Sequence, residues 1–243
     1  MVLKYRVMNE NSYKFMTQNV LALDTALSGC NVALLKGGLE GACYIDRQAM
    51  ARGQSEVLVP MVQGVLSQGA LAFSDLDLIV TTVGPGAFTG LRIGLSTARG
   101  FAVALGIPLV GLTTLEVLAQ QYEGDQPCAI ILETKRDDFY VQVFGKEKKP
   151  LTEHAVLDRE AVSALLQEYK GVVLAGDATE RFMEQETEDY IVIRGINAPD
   201  PVVMARLALV RFQEGSGREA VPLYLRGADV SVRKTPLRVL ASS

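Results

Sequence analysis

The sequence predicts a duplicated α/β domain, and three observations carry that reading. The first is an internal repeat: residues 21–35 (LALDTALSGCNVALL) lie over residues 130–144 (IILETKRDDFYVQVF) without gaps at a constant offset of 109. In that register Leu23 falls on Leu132, Asp24 on Glu133, Thr25 on Thr134, Val32 on Val141 and Leu34 on Val143. Each copy reads as a β-hairpin, an apolar strand turning into a second apolar strand. The second observation is that a helical stretch follows each hairpin, at about 55–69 and about 158–170. The third is that each helix is followed by a strand running into a glycine turn and another helix, LDLIVTTVGPG in one half and GVVLAGDAT in the other. Two halves of like order favour duplication over one doubly wound sheet. A helix gives way to a Gly, Asp and Pro rich connection in residues 111–127, which places the boundary there. The expected division is a polar extension over 1–16, a first lobe over 17–115, a shorter second lobe over 116–230 and a tail over 231–243. Met16, just ahead of TQNVLALDT, competes with Met1 as the starting residue.

The bulk numbers narrow the function classes. A chain of 243 residues with 49% hydrophobic and 21% charged residues is long enough to bury a core. A formal charge of -4 is the wrong sign for whole-chain binding to a phosphate backbone, so nucleic acid would be reached through a partner. Cys30, Cys43 and Cys128 show no CxxC spacing and read as reduced thiols in a cytoplasmic protein. No apolar run approaches the ~18 residues of a membrane span, and no secretory signal is visible in residues 1–16.

The stretch 80–100, VTTVGPGAFTGLRIGLSTARG, invites comparison with phosphate loops. A P-loop needs GxxxxGK[ST], and no lysine follows Gly84 or Gly86. The dinucleotide fingerprint GxGxxG fails as well, because Gly84, Gly86 and Gly90 give GxGxxxG with no acidic ribose clamp about twenty residues on. What remains is a strand, a Gly-Pro-Gly turn, Thr89 as N-cap and a helix over about 91–105. Free N–H groups at that helix start would suit an anion; a turn that only swings the chain into the helix is the other reading.

The helix itself has two apolar faces. Leu91, Leu95, Ala98, Phe101, Ala102 and Leu105 make one, while Ile93, Thr97, Gly100, Val103 and Ala104 make a second of smaller residues, with Arg92, Ser96 and Arg99 between them. The helix near Ser55 behaves alike. Val57, Leu58, Met61 and Val65 form its core stripe, Val59, Val62 and Leu66 widen the arc, and Pro60 is tolerable only in the first turn. The two helices are expected side by side, with Val59, Val62, Leu66, Ile93, Thr97, Gly100 and Val103 facing a partner.

Catalytic constellations are sparse. The single histidine, His154, sits in a polar stretch expected to lead into a helix, and there is no HExxH or other His-rich metal pattern. Asp24 and Glu133, each followed by a threonine, are the one arrangement with a mechanism. If the halves faced each other, two carboxylates and two hydroxyls would converge on a Mg-nucleotide. Alternatively each caps its own turn. The cofactor-binding candidates are therefore Asp24, Thr25, Gly84, Gly86 and Glu133, with no catalytic or metal residue assigned.

LALDTALSGCNVALL, SEVLVPMV, the run from DLDLIVTTVGPGAFTG to GIPLVGLTTLEVLA, and the late VPLYLRGADV together resemble the TsaB (YeaZ) family of bacteria. The resemblance runs from about Val20 to Val230. It implies the actin-like ATPase fold of sugar kinases and heat-shock chaperones, with a truncated second lobe, and a part in making threonylcarbamoyladenosine in tRNA. It implies a non-catalytic subunit that supports the catalytic paralogue TsaD through its N-terminal lobe, joined by the ATPase TsaE, with tRNA reached only through the complex. It implies no cofactor of its own, ATP or ADP and Mg entering only in the complex, and a homodimer when TsaD is absent. Family members often read R-x-H-S-E where this chain has ARGQSE, so Gln54 replaces a histidine. In VVLAGDATERF, Gly176 is followed by Asp177, a carboxylate that repels phosphate where catalytic actin-like proteins have paired glycines. An actin-like ATPase or small-molecule kinase is the competing reading. A peptidase, a label relatives have carried, finds neither a metal site nor a triad.

Overall fold

The computed structural model describes residues 18–223 and 225. The first hairpin pairs β1 (Val20–Asp24) antiparallel with β2 (Cys30–Lys36), which pairs antiparallel with β3 (Ala42–Gln48). The chain then forms α1 (Gln54–Gln68), β4 (Leu78–Gly84), α2 (Phe88–Leu105) and β5 (Leu109–Thr113). β4 adds parallel to β1, and β5 parallel to β4, giving the order β3-β2-β1-β4-β5. After α3 (Thr114–Gln121) the pattern starts again with β6 (Cys128–Glu133), β7 (Asp138–Phe144) and β8 (Ala155–Asp158). It continues through α4 (Arg159–Gln167), β9 (Val173–Ala175), α5 (Thr179–Met183) and β10 (Ile191–Val192), and α6 (Pro201–Gln213) closes the described chain. The second sheet is ordered β10-β9-β6-β7-β8, which is the first sheet's order repeated. This is the duplicated actin-like α/β arrangement expected from the sequence. Its second copy is abbreviated: β9 has three residues, β10 two and α5 five.

The repeat needs one correction. Leu23 pairs with Val32 across the first hairpin, and Leu132 pairs with Tyr140 across the second. Val32 therefore corresponds to Tyr140 and Leu34 to Gln142, not to Val141 and Val143. The second turn is one residue shorter, and a one-residue shift moves every side chain of the returning strand to the other face. The gapless match holds in sequence because β7 carries apolar residues on both faces.

Alternation along β1 sets up two buried layers. Leu21 and Leu23, with Val32 and Leu34, meet Leu58, Met61, Val62, Val65 and Leu66 of α1 and Ala98 and Ala102 of α2. Val20 and Ala22, with Ala33, Leu35, Leu78, Val80, Val110 and Leu112, meet Met204, Ala205, Ala208 and Leu209 of α6. The first sheet is thus covered on one face by its own helices and on the other by the last helix of the chain. α3 crosses the other way: its Leu115, Leu118 and Ala119 pack with Ile130, Leu132 and Phe144 of the second lobe. Division by sequence at residue 115 therefore differs from division by packing, because α6 belongs to the first lobe's core. The Arg211 guanidinium ties α6 to Glu116 at 2.8 Å, and Arg47 on β3 reaches the α6 N-cap Asp200 at 2.7 Å.

Local details depart from expectation at three points. α2 starts at Phe88 with Ala87 as N-cap and no side-chain cap, so Thr89 lies inside the helix. Pro60 stands beyond the first turn of α1, on its exposed side, where a missing N–H leaves the Glu56 carbonyl to solvent. His154 precedes the strand β8, and the helix follows only after it. The cysteines are all free; burial pushes the Cys30 and Cys128 thiols up to about 12. Among the described residues no helix is long and apolar enough to cross a membrane. The extension over 1–16, the choice between Met1 and Met16, most of VPLYLRGADV and the tail lie outside the described residues.

Candidate functional site

Asp24 ends β1 and is fully buried together with Thr25. Its carboxylate accepts from the Ala26 N–H at 3.1 Å, from Asn31 Nδ2 at 3.0 Å and from the Thr82 hydroxyl at 2.8 Å. Thr25 Oγ1 donates to the Gly90 carbonyl at 2.7 Å, and the Ala26 carbonyl accepts from the Ala87 N–H at 2.7 Å. The β1–β2 turn is therefore bonded along its length to the end of β4 and the start of α2.

The glycines make that contact. A Cβ on Gly86 would stand 2.3 Å from the Ala26 carbonyl oxygen, one on Gly90 2.0 Å from that of Thr25, and one on Gly94 2.6 Å from Thr25 Oγ1. Gly84 has φ +111°, and its Cβ would meet Leu223 O and Leu91 Cδ1. Glycine here allows backbone to lie on backbone. The Cβ sides of Gly86 and Gly90 are taken up by the Ala26 and Thr25 carbonyls, so both glycines serve the contact between the two turns.

The second lobe solves the same junction differently. Glu133 ends β6 and accepts a bidentate pair from Arg181 of α5, Nη2 at 2.7 Å and Nε at 2.9 Å, and also caps the Lys135 N–H. Arg181 lies over the Phe139 ring at 3.9 Å. The Glu133 N–H donates to Asp177 at 2.9 Å, so that carboxylate binds the β9–α5 turn to the end of β6. Thr134 bonds within its own turn, to the carbonyl and carboxylate of Asp138. Asp24 and Glu133 thus each serve their own lobe. Sequence reasoning missed Asn31, Thr82, Gly90 and Arg181. The signal available for the first two was a polar residue inside an otherwise apolar strand.

Burial raises the Asp24 carboxyl above the usual carboxylate range, its three donors offsetting the shift only in part. The sign of the pH dependence follows. Between the unfolded and the raised folded value the folded form holds the proton more tightly, so this contribution to stability falls as pH rises through that window. Asp24→Asn removes the titration and turns an amide toward Asn31 Nδ2. The stability gap between wild type and this variant is expected to narrow as pH rises from the ordinary carboxylate range through the raised folded value. Urea denaturation midpoints across that range measure it; a constant gap would show that Asp24 is not the titrating group.

The expected partner face is narrower than the sequence suggested. Val62 and Leu66 are 0% and 3% exposed and belong to the core between α1 and the sheet. Ile93 is half-buried against the same core, and Thr97 is half-buried. The apolar arc is as wide as expected, but the chain's own sheet and α2 consume most of it. What stays exposed is Val59 at 37%, Val103 at 83%, Gly100 and Ala104, on two helices that pack side by side. Nothing lies within 4 Å of where a Gly100 Cβ would stand.

The model of the family described as TsaD: tRNA N6-adenosine threonylcarbamoyltransferase matches residues 47–194, more than half of the chain. The chain belongs to this family. Within it the chain is of the TsaB (YeaZ) type. It is 28% identical over 230 residues to the tRNA threonylcarbamoyladenosine biosynthesis protein TsaB of Escherichia coli (strain K12), covering 89% of this chain and 98% of that protein. It is 27% identical to the TsaB protein of Haemophilus influenzae, covering 90% and 98%. The solved structure of YeaZ from Pseudomonas aeruginosa superposes with a TM-score of 0.75 at 27% identity, over 86% of this chain and all of that one. Family membership carries a role in the biosynthesis of threonylcarbamoyladenosine. The match begins in β3 and ends shortly after β10, so it contains α1, α2 and the Gly84–Gly90 turn.

Proposed function

We propose that the chain is a non-catalytic assembly subunit of the tRNA N6-threonylcarbamoyladenosine transferase, docking the catalytic TsaD protein through α1 and α2. The observation that carries this reading is the exposure of Val59, Gly100, Val103 and Ala104 on two helices that pack side by side. A valine 83% exposed in the last turn of α2, one turn beyond a glycine with open space over it, lets another helix approach closely. On this reading the chain holds no nucleotide of its own, ATP or ADP and Mg entering only in the assembled complex. In this reading TsaE joins the pair, tRNA is met through the complex, and two copies of the chain share the same face when TsaD is missing.

Association of the purified chain with TsaD, followed by light scattering and calorimetry, is the deciding experiment. A 1:1 complex, with loss of tRNA threonylcarbamoylation on depletion of the chain, is the expected result. Absence of binding and unchanged modification would sink it. Calorimetry of the isolated chain with Mg-ATP separates the kinase reading, which requires binding at micromolar to millimolar levels.

A further inference from the structure

The chain after α6 has to go somewhere, and its route is informative. α6 lies on one face of the first sheet and α2 on the other. β5 is the edge strand between them. The segment 216–223 crosses that edge. Gly217 passes Val110 on the α6 side, and the Gly111 N–H donates to the Arg218 carbonyl at 3.0 Å in an antiparallel bridge. Ala220 then emerges on the α2 side, where it packs with Val83 and Leu95 and where Leu223 joins the same cluster.

Three hooks fasten the segment. Beyond the Gly111 bridge, Arg99 of α2 donates through Nη2 to the Ala220 carbonyl at 2.6 Å, and the Leu223 N–H donates to the Val83 carbonyl at 2.8 Å. The fit is tight at two glycines. A Cβ on Gly111 would stand 2.8 Å from Ala220 Cα and 2.9 Å from the Glu219 carbonyl, and one on Gly84 would stand 3.0 Å from the Leu223 carbonyl. A passive covering of the edge would need only the main-chain bridge at Gly111. The hooks on Arg99 and Val83 go further, to mid-α2 and to the strand end just before the Gly84–Gly86 turn from which α2 starts.

We infer that residues 216–223 are a clasp that sets the position of α2 on the sheet, so that opening the clasp loosens α2 and its preceding turn while the rest of the lobe stays folded. The clasp acts on this chain alone and holds whether or not α2 docks TsaD. Its physical basis is local: β1 and β2 are held by α1 and α6 as well, whereas the outward end of β4 and the α2 flank at Leu95 depend on Ala220 and Leu223 for cover.

Hydrogen exchange on the full-length chain tests it, with Arg99→Ala removing one hook and Gly111→Val forcing the segment off the edge. In both variants the amides of Leu223 and of the α2 turn from Leu91 to Leu95 are expected to exchange at least about ten-fold faster, with β1 amides at the wild-type rate. Arg99→Lys is expected to recover part of the protection. Faster exchange at Leu223 with α2 unchanged would make the segment a cover and overturn the clasp. So would equal acceleration in β1, which is general destabilisation, or unchanged Leu223 in both variants. Should Gly111→Val fail to fold, Arg99→Ala alone decides between these outcomes. TsaD binding by the wild-type chain is a separate measurement, so loss of that reading leaves this one standing.

Discussion

Gly90→Ala is expected to destabilise the chain by about 3 kcal/mol or more, a large effect for a single methyl group inside a helix. The new Cβ would stand 2.0 Å from the Thr25 carbonyl oxygen. Relief by rotation is barred, since the obstacle is backbone and Thr25 Oγ1 is itself bonded to the Gly90 carbonyl. The helix would have to lift off the β1–β2 turn. That lift stretches the Ala87 N–H to Ala26 carbonyl bond and opens the buried Asp24 carboxylate toward water. Gly100→Ala is the control in the same helix. It meets nothing within 4 Å and lowers the backbone entropy of the unfolded chain, so it is expected to stabilise by about 0.5 to 1 kcal/mol. Urea midpoints of both variants check the pair. A Gly90→Ala protein within about 1 kcal/mol of wild type would mean that the turn and α2 are not locked as described.

The contrast between these two glycines marks what a sequence can and cannot reveal. Strand and helix order was legible because it rests on periodicity: β1, β2, β6 and β7 alternate or run apolar, and the helices repeat at three to four residues. The duplication was legible for the same reason, down to Asp24 over Glu133. The one-residue slip in the returning strand was not, because Tyr140, Val141 and Val143 suit either face and only the turn length decides. The glycine stretch was legible as something other than a phosphate loop by its spacing. Its actual task, laying backbone on backbone at Gly86 and Gly90, depends on a partner turn some sixty residues earlier. Likewise the return of α6 to the first lobe is a matter of tertiary packing between distant apolar faces, which no local pattern encodes.

The partner face was half legible, and that half separates two substitutions that look alike on a helical wheel. Val62 and Val103 both fall on widened apolar arcs, and from sequence either one changed to aspartate should give a soluble monomer. Val62 is 0% exposed within the apolar cluster that also holds Leu21, Leu23 and Ala98, so Val62→Asp buries a carboxylate in an apolar core. A loss of about 4 kcal/mol or more is expected, enough to unfold a domain of ordinary stability. Val103 is 83% exposed, and Val103→Asp should leave the unfolding midpoint within about 0.5 kcal/mol of wild type. Its effect is expected in association instead. A carboxylate desolvated at the centre of a helix-to-helix contact should weaken binding to TsaD, and self-association, by at least about ten-fold. Thermal melts and light scattering on the two variants settle the matter together. A stable monomeric Val62→Asp protein would put that residue on the surface, and undiminished TsaD binding by Val103→Asp would move the partner away from α2.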